Sequence, residues 1–235
     1  AMSPLARLLD WLSYKYRVLF IVSAGNHAGN DRGDDIENLD LGLSLSDFSA
    51  LSMVERDRQI INHLSNNSRN LRLLSPAESM NALTVGATFE DATSFTENAR
   101  WILPCSNGMV SPITSLGKGM NNAIKPDIVY NGGRKFVMAS THNPTSTKVR
   151  WANIPTREPG IISAAPTDIA AGSSKTMYTF GTSDSTALIS HEAGRCYDTL
   201  QEVFHAAERD VPQDHIALLP KAMLIPGAEW GAIGQ

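Results

Sequence analysis

Gly181-Thr182-Ser183 stands just ahead of a stretch in which Ile189, Ala193, Cys196, Leu200 and Val203 recur at steps of four, three, four and three. That spacing predicts a long amphipathic helix from about Asp184 to Ala207, with His191, Arg195, Asp198 and Glu202 on its polar side. A serine hydroxyl at the start of such a helix lies at the positive end of the macrodipole, beside backbone N–H groups that lack intrahelical partners. A developing oxyanion is stabilised there. Taken alone, a serine or threonine in this place is more often a helix cap. Ser23-Ala24-Gly25-Asn26 follows the apolar run Val18 to Val22, at the C-terminal strand edge where open α/β sheets put their sites. Gly25 lets the chain pass close to a ligand, and the Asn26 amide can donate to an oxygen. This segment too, taken alone, is more often a turn.

Other chemistry-bearing residues carry less. Cys105 and Cys196 have no metal-ligand spacing, so both are read as small buried or half-buried side chains. The acidic stretch Asp31-Arg32-Gly33-Asp34-Asp35 could hold calcium, but its spacing fits no defined site, and a solvated loop over residues 27–49 is the preferred reading. No metal or other cofactor is expected. A net charge of −4 gives no basic field for phosphates, which argues against nucleic acid. The apolar runs are too short to cross a bilayer, and no secretory signal pattern opens the chain. Localisation stays open, with low cysteine usage leaning towards the cytoplasm. Ala1 ahead of Met2 has the form of a tag-removal scar, so the start is expected to be an engineered boundary.

The elements that must position these residues follow from periodicity. Ser3-Pro4 caps a helix over residues 4–15 carrying Leu5, Leu8, Leu9 and Leu12. Val18 to Val22, Ala82 to Ala87 and Ile128 to Tyr130 read as buried strands, which implies an α/β fold with a mainly parallel sheet. A helix is expected from about Ala50 to Leu64, and a last one over Gln213 to Leu224 with a kink at Pro220. Lys135 to Pro166 alternates β-branched clusters with proline breakers, so strands and loops are expected there. The 42% hydrophobic content and 235 residues suffice to bury a core.

Together these segments resemble the subtilisin-like serine proteases, or subtilases. The family's oxyanion-hole segment is similar to Val22-Ser23-Ala24-Gly25-Asn26. Its next core strand resembles Ser75-Pro76-Ala77-Glu78 through Leu83-Thr84-Val85-Gly86-Ala87. Its Lys-Pro-Asp block resembles Lys125-Pro126-Asp127-Ile128-Val129 with Gly132-Gly133, and its nucleophile motif resembles Gly181-Thr182-Ser183-Asp184-Ser185-Thr186-Ala187. The resemblance implies a three-layer subtilisin-like fold, truncated at its N-terminal half, with residues 1–235 as the C-terminal portion of one catalytic domain. Segments 27–74 and 134–176 look longer than in compact members and are read as insertions. Ala187 stands where the family usually has proline.

The resemblance further implies a serine endopeptidase acting on peptides or proteins, with Ser183 as nucleophile, Asn26 in the oxyanion hole, and Gly25 and Thr182 in substrate binding. In the family's chain order the triad aspartate and histidine precede the oxyanion strand. The 25 residues before Asn26 hold neither motif, and none of the histidines at 27, 63, 142, 191, 205 and 215 is followed by glycine in a matching context. His191 lies about 12 Å along the helix from Ser183. The chain is therefore expected to be catalytically incomplete by itself, and to self-associate through the surfaces left uncovered. A non-catalytic peptide-binding module is the alternative, and the sequence upstream of Ser3 discriminates. An unrelated esterase is disfavoured by the lack of a Gly-x-Ser-x-Gly elbow.

Overall fold

The computed structural model describes residues 2–27, 39–98, 100–139, 147–152, 157–165 and 175–228. In chain order its elements are α1 (Pro4–Tyr16), β1 (Ile21–Ser23), β2 (Leu39–Asp40), α2 (Leu45–Ser49), α3 (Met53–Asn66), β3 (Leu83–Phe89), β4 (Met109–Val110), β5 (Gly117–Lys118), β6 (Ile124–Lys125), β7 (Ile128–Asn131), β8 (Val137–Ala139), β9 (Lys148–Trp151), β10 (Ile161–Ala164), β11 (Thr176–Thr179), α4 (Thr182–Ala206) and α5 (Leu218–Leu224). The fold is α/β.

The central sheet is organised by β3. It pairs in parallel with β1 on one side and with β7 on the other, and in antiparallel fashion with β4. The remaining strand pairs, β10–β11, β2–β9, β8–β9 and β5–β6, are antiparallel. β3 is buried at six of its seven residues, as a strand covered on both faces must be. Leu83 and Val85 pack with Ile128 and with Ile189 of α4, and α4 lies across β1, β3 and β7. The alternate positions face other chain segments. The Thr84 hydroxyl donates to the Ala77 carbonyl, and Gly86 lies against Pro126 and Thr114.

A second and larger core lies beside this sheet. Leu39, Leu41, Leu45, Phe48, Ile60, Leu64, Phe89, Ile102, Phe136, Val137, Val149 and Trp151 are buried together in it. The same core corrects the expectation of a solvated loop over 27–49. Residues 28–38, with the acidic stretch, lie outside the described residues, but 39–49 form β2 and α2 and bury four large apolar side chains. Leu39 to Phe48 place an apolar residue every few positions, and that periodicity is what the polar neighbours obscured. Arg56 of α3 ties the lobe together. It donates to Glu97 Oε1 at 2.7 Å, to the Ser49 carbonyl at 2.8 Å and to the Leu103 carbonyl at 3.1 Å.

Other expectations shift at their edges. Ser3 caps α1 by accepting from the Ala6 amide, with Pro4 in the first turn, as the cap pattern demands. Arg17 then takes a left-handed φ of 54° and ends the helix, so β1 begins at Ile21 rather than Val18. The stretch 213–224 is not one helix: a single 3₁₀ turn, Gln213–His215, precedes α5. Pro220 accordingly sits in the first turn of α5, where its missing N–H costs nothing.

Candidate active site

α4 begins at Thr182, one residue before Ser183, with Gly181 as its N-cap and no side-chain capping bond. The capping reading of Ser183 is thereby removed, and so is a helix start just after it. Ser183 occupies the first turn, exposed to solvent, and among the described residues its hydroxyl has no hydrogen-bond partner. The amides of Asp184 and Ser185 turn back onto the Gly181 carbonyl at 3.2 and 3.3 Å. The Ser183 amide belongs to the first-turn donors that have no intrahelical acceptor.

Asn26 follows β1 and forms an isolated antiparallel bridge with Thr114. Two neighbours fix it: the His27 amide donates to the Ile113 carbonyl at 2.8 Å, and the Ser115 amide donates to the Gly25 carbonyl at 2.9 Å. The structure brings Asn26 onto the start of α4. Its side-chain oxygen accepts from the Thr182 amide at 2.9 Å and from the Thr182 hydroxyl at 3.0 Å. The same hydroxyl accepts from the Gly25 amide at 3.3 Å. Thr182 is fully buried. With the oxygen held in this way, the Asn26 Nδ2 group is left, among the described residues, as a donor without an acceptor at the start of α4.

Two glycines make the approach possible. Gly25 has φ 109°, and a Cβ there would lie 2.6 Å from Leu74 Cγ; Gly181 has φ 149°, and its Cβ would lie 2.8 Å from Asn26 Nδ2. A side chain at Gly181 would push α4 away from Asn26, and one at Gly25 would strike Leu74 and displace the strand end that carries Asn26. The turn below α4 is equally tight. The Gly181 amide donates to the Gly132 carbonyl at 2.7 Å, and Ser185 donates to the Tyr130 carbonyl at 2.9 Å.

Two residues beyond Gly132, whose carbonyl accepts from the Gly181 amide, stands an ion pair that periodicity did not reveal. Arg134 donates its backbone amide to Asp91 Oδ2 at 2.7 Å and its guanidinium to Oδ1 at 2.9 Å, and it also reaches the Thr93 carbonyl. Burial pushes the Asp91 carboxyl up, but the bonds from Arg134 and Thr93 outweigh it and hold the group below its ordinary value. Asp184, directly after Ser183, behaves oppositely: burial pushes its carboxyl up, only partly offset by a bond from the Thr179 hydroxyl at 2.8 Å.

No described histidine hydrogen-bonds Ser183. His27 adjoins Asn26, but its ring turns away and Nε2 donates to the Arg72 carbonyl at 2.7 Å. His191 is exposed two turns along α4, and His142 lies outside the described residues. Cys105 is buried and its thiol is pushed well up by that burial, so it is neither a thiolate nucleophile nor a ready ligand. Among the described residues no group of three or more His, Cys, Asp and Glu could hold a metal ion, and no helix is long and apolar enough to cross a membrane.

A family model described as the subtilase family, peptidase S8, matches residues 2–212. The chain belongs to the subtilase family. No curated protein and no solved structure matches it significantly. The match spans both segments of the site and ends before α5, which in this subtilase packs on α4. Subtilases are serine peptidases, so family membership carries peptide or protein substrates for the protein as a whole.

Proposed function

We propose that this subtilase chain supplies the nucleophile and the oxyanion-binding groups of a serine endopeptidase. The observation that carries the reading is the exposed, unpartnered Ser183 hydroxyl in the first turn of α4, with the Asn26 side chain fastened beside it through Thr182. Ser183 Oγ attacks the scissile carbonyl carbon. Its proton passes to a histidine and then to the leaving amine, and water hydrolyses the resulting acyl-enzyme. Asn26 Nδ2 and the Ser183 amide donate to the oxyanion, and the positive end of α4 adds to the stabilisation. Gly25 and Thr182 are buried, so they act on substrate binding only through the Asn26 side chain they hold, not by touching the peptide.

A serine hydroxyl needs a positioned base at neutral pH, and we assign that histidine and the carboxylate that orients it to residues outside 1–235. We read segments 27–74 and 134–176 as insertions on a three-layer subtilisin-like frame; among their described residues, the pairing of β2 with β9 joins the two and supports this reading. One observation favours a second reading, in which the chain binds peptides without cleaving them: no described histidine reaches Ser183.

A fluorophosphonate probe separates the two. The full-length protein is expected to be labelled at Ser183 and to lose both labelling and peptide cleavage in Ser183→Ala, whereas the 235-residue chain alone is expected to stay unlabelled. A full-length protein that is indifferent to Ser183→Ala establishes the binding module instead.

A further inference from the structure

The carboxyl group next to the nucleophile is held in place but not neutralised. Thr179, the last residue of β11, donates its hydroxyl to Asp184 Oδ1 at 2.8 Å, and Ser163 of β10 hydrogen-bonds that threonine oxygen, also at 2.8 Å. Asp184 is half-buried, and none of the described residues forms an ion pair with it. The described cations do not neutralise it: Lys175 stands at the end of β11 opposite Thr179, Arg195 of α4 pairs with Glu192, Arg134 pairs with Asp91, and Lys135 lies over the Phe180 ring, 4.8 Å from its centroid. An aspartate in the first turn of a helix ordinarily accepts from the helix's own amides. Asp184 instead accepts from a β-hairpin hydroxyl, which leaves Oδ2 without a described partner.

A carboxylate removed from water and given only a neutral hydroxyl carries a desolvation cost that its surroundings do not return. Folding alone gives no reason to keep it beside an exposed serine. A cation arriving with a ligand does, because it finds a fixed anion in a partly desolvated place. We propose that Asp184, oriented by Thr179 and Ser163, selects a basic side chain, lysine or arginine, in the peptide bound across Ser183. This rests on the endopeptidase reading and adds the substrate class to it.

The test uses the full-length protein and N-acetylated, C-amidated peptides, so that only a side chain can bring the cation. Lysine and arginine are compared with norleucine and citrulline at each of the two positions flanking the scissile bond. The wild-type kcat/KM is expected to favour the cation at one of these positions by about tenfold or more, the scale of a charge-assisted hydrogen bond. Asp184→Asn is expected to bring that ratio to about one, and Asp184→Glu to retain part of it. A wild type without the preference, or a preference that survives Asp184→Asn, overturns the assignment. Fluorophosphonate labelling of Ser183 needs no cation and keeps the two readings apart. Labelling without preference removes the selector and leaves the peptidase. Absence of both labelling and cleavage overturns the peptidase, and the selector with it.

Discussion

Thr182 donates twice to one atom of Asn26: its backbone amide and its hydroxyl meet the side-chain oxygen at 2.9 and 3.0 Å. An amide side chain tied at its oxygen can present only its Nδ2 group outward, so the orientation of the proposed oxyanion donor, Asn26 Nδ2, depends on Thr182. Thr182→Val keeps the shape but removes the hydroxyl, and it also deprives the buried Gly25 amide of its acceptor. We expect kcat of the full-length protein to fall by about tenfold with little change in KM, since the loss is worth about one to two kcal/mol. Thr182→Ser should restore most of it. Asn26→Ala should cost more, roughly 10²–10³ in kcat, the figure known for removing such a donor from subtilisin itself. Steady-state kinetics of the four proteins check the order.

The pair Asp91–Arg134 is a stability element with a sign in pH. The two side chains are 2% and 11% exposed, and breaking such a buried pair by removing one partner costs about 3–5 kcal/mol. Arg134→Met should therefore lower the denaturant midpoint strongly at neutral pH. The Asp91 carboxyl is held below its ordinary value of 3.8 in the folded chain. Its contribution is complete above that value and is lost as pH falls through the lower, folded one. Asp91→Asn should show a smaller loss of stability between pH 5 and pH 2 than the wild type, measured by urea melts at each pH.

Asp184 has the opposite sign. Its folded value lies above 3.8, so above both values the folded state bears the full cost of a poorly solvated anion, and below both the cost is gone. Asp184→Asn should raise the melting temperature at neutral pH, and the difference from the wild type should vanish as pH falls below 3.8. Thermal melts across that range decide it, and a variant less stable at pH 7 would refute the assignment of burial as the dominant cause.

Local signals in the sequence located most elements. Ser3-Pro4 with its leucines located α1, the run Ala82 to Ala87 located β3 (Leu83–Phe89), and the heptad-like steps from Ile189 to Val203 located α4, because caps and periodicity act within a few residues. The motifs around Asn26 and Ser183 also lie within short segments, which is why family membership could be read from residues alone. Contacts over long sequence separations were not legible. Asn26 and Thr182 are 156 residues apart, and only a parallel sheet carrying β1 beside β3, with α4 laid across both, brings them within 3 Å. Likewise Leu39 pairs with Val149, and Asp91 with Arg134, through a lobe that no local pattern announces. Asp184 is of the same kind: the residue type is in the sequence, but that no described cation pairs with it depends on which side chains the fold sets around it.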